Sequence, residues 1–188
     1  MKKMTILLLM VTLATGALAQ GVSFGIKAGL NFAKEVASGS GVTLSSDTKT
    51  GFHGGIYVKI MGAGKFGVQP ELLYSGQGGG SGSNTVNYNY LNLPVMARYN
   101  ITPLFNLQLG PQLGILMSAT FNGTDVKNQL KSTDTGLAFG AGVDLPSGLN
   151  FAARYIAGLS DIQSTPTAGV TLKNQVIQIS VGFKLAGI

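Results

Sequence analysis

The chain contains no cysteine and no tryptophan, a single histidine, and few charged residues for its length. Beyond its first twenty residues it also lacks an apolar run of the roughly 18 residues that a spanning helix needs. Each absence narrows the reading. Without cysteine, an exported chain must take its stability from burial, from lipid or from a closed sheet rather than from disulfides. Without tryptophan, any interfacial aromatic belt falls to tyrosine and phenylalanine. One histidine and no cysteine leave only scattered carboxylates, so no metal site is expected. The 13 basic and 7 acidic residues give a formal net charge of +6, which falls to +4 once Lys2 and Lys3 are removed. The lysines are scattered, with no patch suited to nucleic acid. If this protein enters a membrane, it does so with strands.

The first residues carry an address. Lys2 and Lys3 form a positive start, Ile6 to Ala14 is apolar apart from Thr12, and Ala17-Leu18-Ala19 is a small-x-small cleavage site. This is the pattern of a secretory signal peptide, too short and wrongly flanked for a permanent membrane helix. Residues 1–19 are therefore expected to be removed. Residues 20–188 are expected to form one domain.

What the chain has in abundance is alternation. In the stretch from Gly136 to Leu159, Leu137, Phe139, Ala141, Val143 and Leu145 alternate with glycine, alanine and Asp144. After Pro146-Ser147-Gly148 the pattern resumes, with Leu149, Phe151, Ala153 and Tyr155 against Asn150, Ala152, Arg154 and Ile156. A period of two on both sides of a short turn predicts a β-hairpin with one large apolar face and one small or polar face. The same pattern recurs over Val22–Phe32, Gly51–Ile60, Phe66–Gly76, Val86–Tyr99, Phe105–Met117 and Asn174–Leu185, giving eight strands. Pro70 and Pro94 interrupt two of them and predict a bulge or kink.

The connections alternate too. Ala33–Thr50, Gly76–Thr85, Ser118–Thr133 and Ser160–Lys173 read as long polar loops, and Met61–Lys65, Asn100–Leu104 and Pro146–Gly148 as short turns. Gly76–Gly82 lacks the Lys-Ser/Thr of a phosphate loop and reads as flexible and solvated. Asn122-Gly123-Thr124 fits a glycosylation acceptor by pattern alone. Long and short connections in turn are the mark of an all-β, eight-stranded antiparallel up-and-down transmembrane β-barrel, with long loops outside and tight turns in the periplasm. A soluble barrel or sandwich would need its dry core on the opposite face. Here that face, rich in glycine, asparagine, glutamine and lysine, is too small and polar to form one.

Several segments resemble a known family. Tyr90-Leu91-Asn92-Leu93-Pro94-Val95 looks like the Y-L-x-I-P-L motif of the outer membrane protein β-barrel domain family of Bacteroidota, the PorT-like or porin-family small barrels. Leu109-Gly110-Pro111, Gly140-Ala141-Gly142, Arg154-Tyr155 with Gly158-Leu159-Ser160-Asp161-Ile162, and Asn174-Gln175 resemble further segments of that family in the same order. The resemblance spans essentially all of residues 20–188. It implies a barrel in the outer membrane of a Gram-negative cell, with outer-membrane lipid and the barrel-insertion machinery as partners. It also implies a possible accessory role in protein secretion. The chain departs from the pattern at its end. Such barrels usually finish on an aromatic residue, whereas this chain runs on through Leu185-Ala186-Gly187-Ile188, so either Phe183 or Leu185 substitutes or insertion is less efficient.

The polar face collects the candidate site residues Lys27, His53, Tyr57, Glu71, Arg98, Asp144 and Arg154, together with Lys59 and Lys184. Eight strands enclose an interior that side chains just fill, so these residues are expected to form a polar plug. Counting from the periplasmic ends places Lys27, Glu71 and Arg154 at one depth, where Glu71 is expected to neutralise one or both cations. Lys59, Arg98, Asp144 and Lys184 are expected nearer the periplasmic rim, solvated by water. His53 is expected to point inward near the outer end of its strand. No serine or carboxylate spacing supports a catalytic role for it, and no cofactor is expected. The expected function is a non-enzymatic barrel with a structural or surface-interaction role. The alternatives are a narrow porin-like channel for small solutes or ions, or the secretion role.

Overall fold

The computed structural model describes residues 21–39, 42–62, 64–164 and 170–187, so the predicted export segment lies outside the described residues. Eight long strands carry the alternating segments: β1 (Gly21–Gly39), β2 (Asp47–Met61), β3 (Phe66–Ser81), β4 (Asn84–Asn100), β5 (Phe105–Phe121), β6 (Thr133–Asp144), β7 (Leu149–Gly158) and β8 (Val170–Gly187). Each pairs antiparallel with the next, and β8 returns to β1 along a ladder from Ser23↔Gly187 to Gly39↔Val170. The sheet therefore closes on itself, and every strand has a neighbour on both sides. Closure is what lets strands enter hydrocarbon, where backbone N–H and C=O groups find no other partner. Among the described residues, no helix is long and apolar enough to cross a membrane.

The two faces are inverted relative to a soluble barrel. Phe52 is 60% exposed and Leu109 53%, whereas Lys27 and Arg154 are each only 3% exposed. Large apolar side chains cover the outside and charges fill the inside. In water that outer surface would far exceed the few hundred Å² of apolar patch a soluble monomer tolerates. In lipid it is the solvent-compatible face. The aromatic pairs Phe52–Tyr74, Phe66–Tyr99 and Phe139–Tyr155 lie on this face, with ring centroids 5.8, 4.9 and 5.4 Å apart.

The structure corrects the expected loops. The Gly76–Thr85 run is not a flexible loop: β3 continues to Ser81, pairs with Asn84–Asn89 of β4, and turns on Gly82-Ser83 alone. Gly82 adopts φ +59°, which suits a tight hairpin turn. Likewise β1 and β2 extend into the Ala33–Thr50 segment, and Val42–Ser45 adds a short strand against Val36–Gly39. Asn122, at φ 48°, and Gly123 make a second tight turn leading into the short strand Thr124–Asp125. The side-chain carbonyl of Asn122 accepts from the Thr85 N–H at 2.8 Å, and its amide donates to Asn84 at 2.8 Å.

The prolines are corrected as well. Pairing across β3 and β4 keeps one register from Pro70↔Val95 to Leu73↔Asn92, and Pro94 itself pairs with Gln112. A proline removes one donor. Here the pairs on either side hold the strands in step, so neither position bulges. The bulge in this region falls at Met117 of β5, between Asn89↔Ser118 and Tyr90↔Leu116.

Candidate functional site in the barrel lumen

Inward-facing residues stack in tiers along the barrel axis. In the middle tier, Glu71 of β3 meets Lys27 of β1 and Arg154 of β7. Lys27 Nζ donates to Glu71 Oε1 at 2.7 Å. Arg154 donates through Nη1 to Oε2 at 2.9 Å and through Nη2 to Oε1 at 2.6 Å. The Arg154 Nε–H is taken up by Gln108 Oε1 at 2.7 Å, so the guanidinium is held from two sides. A planar guanidinium matches a carboxylate in this bidentate way, which fixes geometry as well as charge. Tyr57 lies beside the same tier. Its ring sits 5.8 Å from Lys27 Nζ, and its hydroxyl accepts from Asn150 Nδ2 at 2.9 Å.

Toward the short turns, Asp144 of β6 accepts from Arg98 Nη2 at 2.6 Å and from Lys59 Nζ at 3.2 Å. Gln69 joins the two tiers: it accepts from Arg98 Nη1 at 2.5 Å and donates to Glu71 Oε1 at 2.6 Å. Arg98 is therefore not water-solvated as expected. It is 4% exposed, because Asp144 and Gln69 take up its guanidinium inside the barrel. Lys184 is exposed at the mouth itself, where it lines a recess of about 140 Å³ with Lys59, Asp144 and Asn150.

Toward the long connections, His53 of β2 lies in its own tier. Its Nδ1 is 3.0 Å from Asn31 Oδ1 and its Nε2 is 2.9 Å from Ser180 Oγ. Asn31 Nδ2 also donates to Ser75 Oγ at 2.9 Å, and Gln178 Nε2 donates to Asn31 Oδ1 at 3.1 Å. Two glycines make room for these rings. A Cβ at Gly25 would lie 2.4 Å from the Tyr57 hydroxyl, and one at Gly29 would lie 2.7 Å from His53 Cε1. The order Ser180–His53–Asn31 is that of a nucleophile, a base and an orienting group. Each of the three is at most 1% exposed, however, and buried Ala152 lies paired beside Ser180. The sequence hid this relay, because its members sit on three strands separated by 22 and 127 residues.

Above this tier Asn174 Nδ2 donates to Gln77 Oε1 at 2.5 Å. The interior void beside them holds only about 10 Å³, room for about one water. The outer mouth is then closed by apolar packing. Tyr88 and Tyr90 of β4, Leu116 and Ala119 of β5, and Ile162 of the β7–β8 connection form one buried cluster, with Val126, Leu130 and Leu172 against it. Tyr88 donates to Glu35 at the edge of this cap. The connection is latched: Ile162 N–H donates to Leu172 O at 3.0 Å, and Lys131 N–H to Ile162 O at 2.9 Å. Asp161 accepts from the backbone N–H groups of Gln163 and Leu172, each at 3.1 Å. Partial burial works against its charge, yet these donors hold the Asp161 carboxyl below its ordinary value of 3.8.

The expected residues thus fall into three groups. Lys27, Glu71, Arg154 and Tyr57 come together. Arg98 and Asp144 form a second centre, joined to the first through Gln69. His53 stands apart. Gln69, Gln108, Asn31 and Ser180 complete these tiers and were not singled out by charge, although alternation already placed them on the inward face. Among the described residues, no group of three or more His, Asp or Glu side chains is placed to hold a metal ion.

A closed eight-stranded sheet with lipid-compatible side chains outside and ion pairs inside defines a transmembrane β-barrel protein of the outer-membrane class. The model of the outer membrane protein beta-barrel domain family matches residues 18–164, and the chain belongs to that family. No curated protein matches the sequence. Among solved structures, Neisserial surface protein A is similar over 88% of this chain and 100% of its own, with 16% identity and a TM-score of 0.59. OprG from Pseudomonas aeruginosa is similar over 90% and 98%, with 17% identity and a TM-score of 0.45. Ail of Yersinia pestis is similar over 87% and 98%, with 17% identity and a TM-score of 0.43. At these identities the likeness speaks to the fold alone.

Proposed function

We propose that this protein is a plugged, non-enzymatic outer-membrane barrel that works through its outer wall and its loop-bearing rim. One observation carries the reading: Arg154 reaches across the lumen and closes on Glu71, while Lys27 binds the same carboxylate. Ions would have to break this centre to pass. The Asp144 centre lies below it and the Tyr88–Ile162 cap above it. The buried Ser180–His53–Asn31 relay supports the absence of catalysis, since each member is at most 1% exposed.

Single-channel recording in planar bilayers tests the plug. The expected record of the folded protein is free of unitary steps. Regular steps with anion preference would favour the competing reading of a narrow channel, which the excess of cations in the lumen supports. The finer placement among Bacteroidota PorT-like barrels, with a role in secretion, rests on the motifs from Tyr90 to Gln175. Pull-down from outer membranes tests this alternative, and recovery of secretion components would favour it. We further propose that residues 1–19 are cleaved on export and that Phe183 or Leu185 presents the final strand to the insertion machinery. N-terminal sequencing of the membrane-extracted protein checks the first, with Gln20 or Gly21 expected at the start.

A further inference from the structure

Four strands of the outer wall place an ordered sequence of side chains across the outer edge of the apolar belt. Pairing sets Phe32 of β1 beside Ile177 of β8, Lys34 beside Gln175, and Val36 beside Lys173. Tyr155 of β7 sits beside Ile177. Phe32, Lys34, Thr48, Tyr155, Gln175 and Ile177 line one groove of about 200 Å³ on the barrel exterior. Its lower part, toward the belt, is aromatic and aliphatic. Its upper part carries an ammonium, an amide and a hydroxyl, and Lys173 stands one step further out.

Both lysines are half-buried, and neither makes an ion pair among the described residues. Asp47, beside Thr48, is exposed and forms no ion pair with either lysine. Glu35 turns away from the groove and accepts from Tyr88. Asp134 accepts from Ser160 Oγ at 2.7 Å, and Asp161 accepts the backbone N–H groups of its own loop. A lysine at a membrane edge can snorkel its ammonium to water without any partner. Snorkelling alone does not account for a groove that sets Lys34 and neutral donors over an apolar slot, with a second unpaired cation, Lys173, just beyond it.

We propose that this groove binds the phosphate headgroup of a phosphorylated glycolipid of the outer leaflet, the lipid A class. Lys34 and Lys173 meet the phosphate oxygens, Thr48, Gln175 and Tyr155 offer hydrogen bonds to sugar hydroxyls, and an acyl chain lies along Phe32 and Ile177. The end of the barrel decides the source. The groove opens at the end bearing the long connections, which is the external side of such barrels. There the lipids carry phosphates on sugars, whereas the glycerophospholipids of the inner leaflet face the opposite rim. The proposal rests on the family's outer-membrane orientation and not on whether the lumen is closed.

The test uses the folded full-length mature protein in phosphatidylcholine nanodiscs doped with diphosphorylated lipid A, dephosphorylated lipid A or phosphatidylglycerol. Native mass spectrometry reads lipid retention. Diphosphorylated lipid A should be retained preferentially, and K34Q/K173Q should weaken that retention about tenfold or more. A K127Q/K131Q variant, with the same change in net charge, should retain it unchanged. A mobility shift on boiling in undoped nanodiscs shows that each variant is folded. If K34Q/K173Q does not fold, K173Q alone, the outermost change, is measured in its place and should show a several-fold loss. Equal retention by wild type and K34Q/K173Q would overturn the proposal. So would equal retention of phosphatidylglycerol or of dephosphorylated lipid A, or loss of binding in K127Q/K131Q.

Discussion

Arg154 and Glu71 face each other from β7 and β3, two strands on opposite walls of the barrel, and join through two hydrogen bonds of 2.9 and 2.6 Å. The pair is a strut across the lumen, and Lys27 braces it at 2.7 Å. Glu71 is the one anion between two cations, so replacing it strands both of them in a space with little water. Leaving buried charges without a partner costs ~3–5 kcal/mol. E71Q is therefore expected to lower the stability of the barrel by about that amount. Urea unfolding in lipid vesicles measures it, with the mobility shift on boiling as a check that the variant folds. A midpoint unchanged from wild type would contradict the strut.

The same triad predicts an asymmetry. In K27M, the Glu71–Arg154 pair remains bidentate and neutral as a unit, and methionine fills much of the lysine's volume. Replacing a buried ionic group with an apolar one of similar size is often close to neutral. K27M is expected to shift the urea midpoint by less than half of the E71Q shift. If K27M costs as much as E71Q, the two cations act as equals and the strut assignment fails.

Ser180, His53 and Asn31 look like a hydrolytic relay in their distances, and each is at most 1% exposed. A fluorophosphonate probe is expected to leave Ser180 unlabelled in folded protein, because the residue is buried. S180A removes a partner of His53 Nε2 and is expected to cost about 1–3 kcal/mol, the range for a buried polar atom left unsatisfied. Mass spectrometry of probe-treated protein and the same urea series check both statements. Labelling of Ser180 at a rate that depends on His53 would reverse the reading.

Alternation made the wall legible from the residues. Period two sorts side chains between lipid and lumen, and the same sorting set Lys27, Glu71 and Arg154 on one face at one depth. What alternation cannot express is what happens where lipid ends. Gly76–Ser81 carries no apolar face and has low strand propensity, so it reads as a loop. It is a strand because Asn84–Asn89 pairs with it beyond the membrane, and a Cβ at Gly79 would lie 2.4 Å from Ser46 Oγ. Arg98 reads as a rim residue from its distance to the turn. It is sealed because Gln69, an uncharged neighbour that composition does not flag, reaches back to it. Ile162 is a lone apolar residue in a polar segment, with no periodicity to mark it.

Ile162 nevertheless completes the apolar cluster at the outer mouth, and Asp161 holds it there. The Asp161 carboxylate accepts the N–H groups of Gln163 and Leu172, so the folded protein keeps this acid ionised below its ordinary value of 3.8. A depressed carboxyl contributes stability that is fully present above its unfolded value and lost as the pH falls through the folded one. The latch should hold at neutral pH and down to about pH 4, then loosen in stronger acid. Pepsin acting on liposome-embedded protein reads this, because freeing Ile162 exposes the connection. Cleavage of the 159–164 segment is expected to rise as the pH is lowered below about 4, after correction for pepsin's own profile on an unfolded substrate. In D161N the corrected rate should be higher at pH 4 and flat across the window. I162S, which loosens the cap without touching the carboxylate, should raise cleavage at every pH while keeping the acid-dependent increase. A wild-type rate without that increase would show that the carboxylate does not hold the lid.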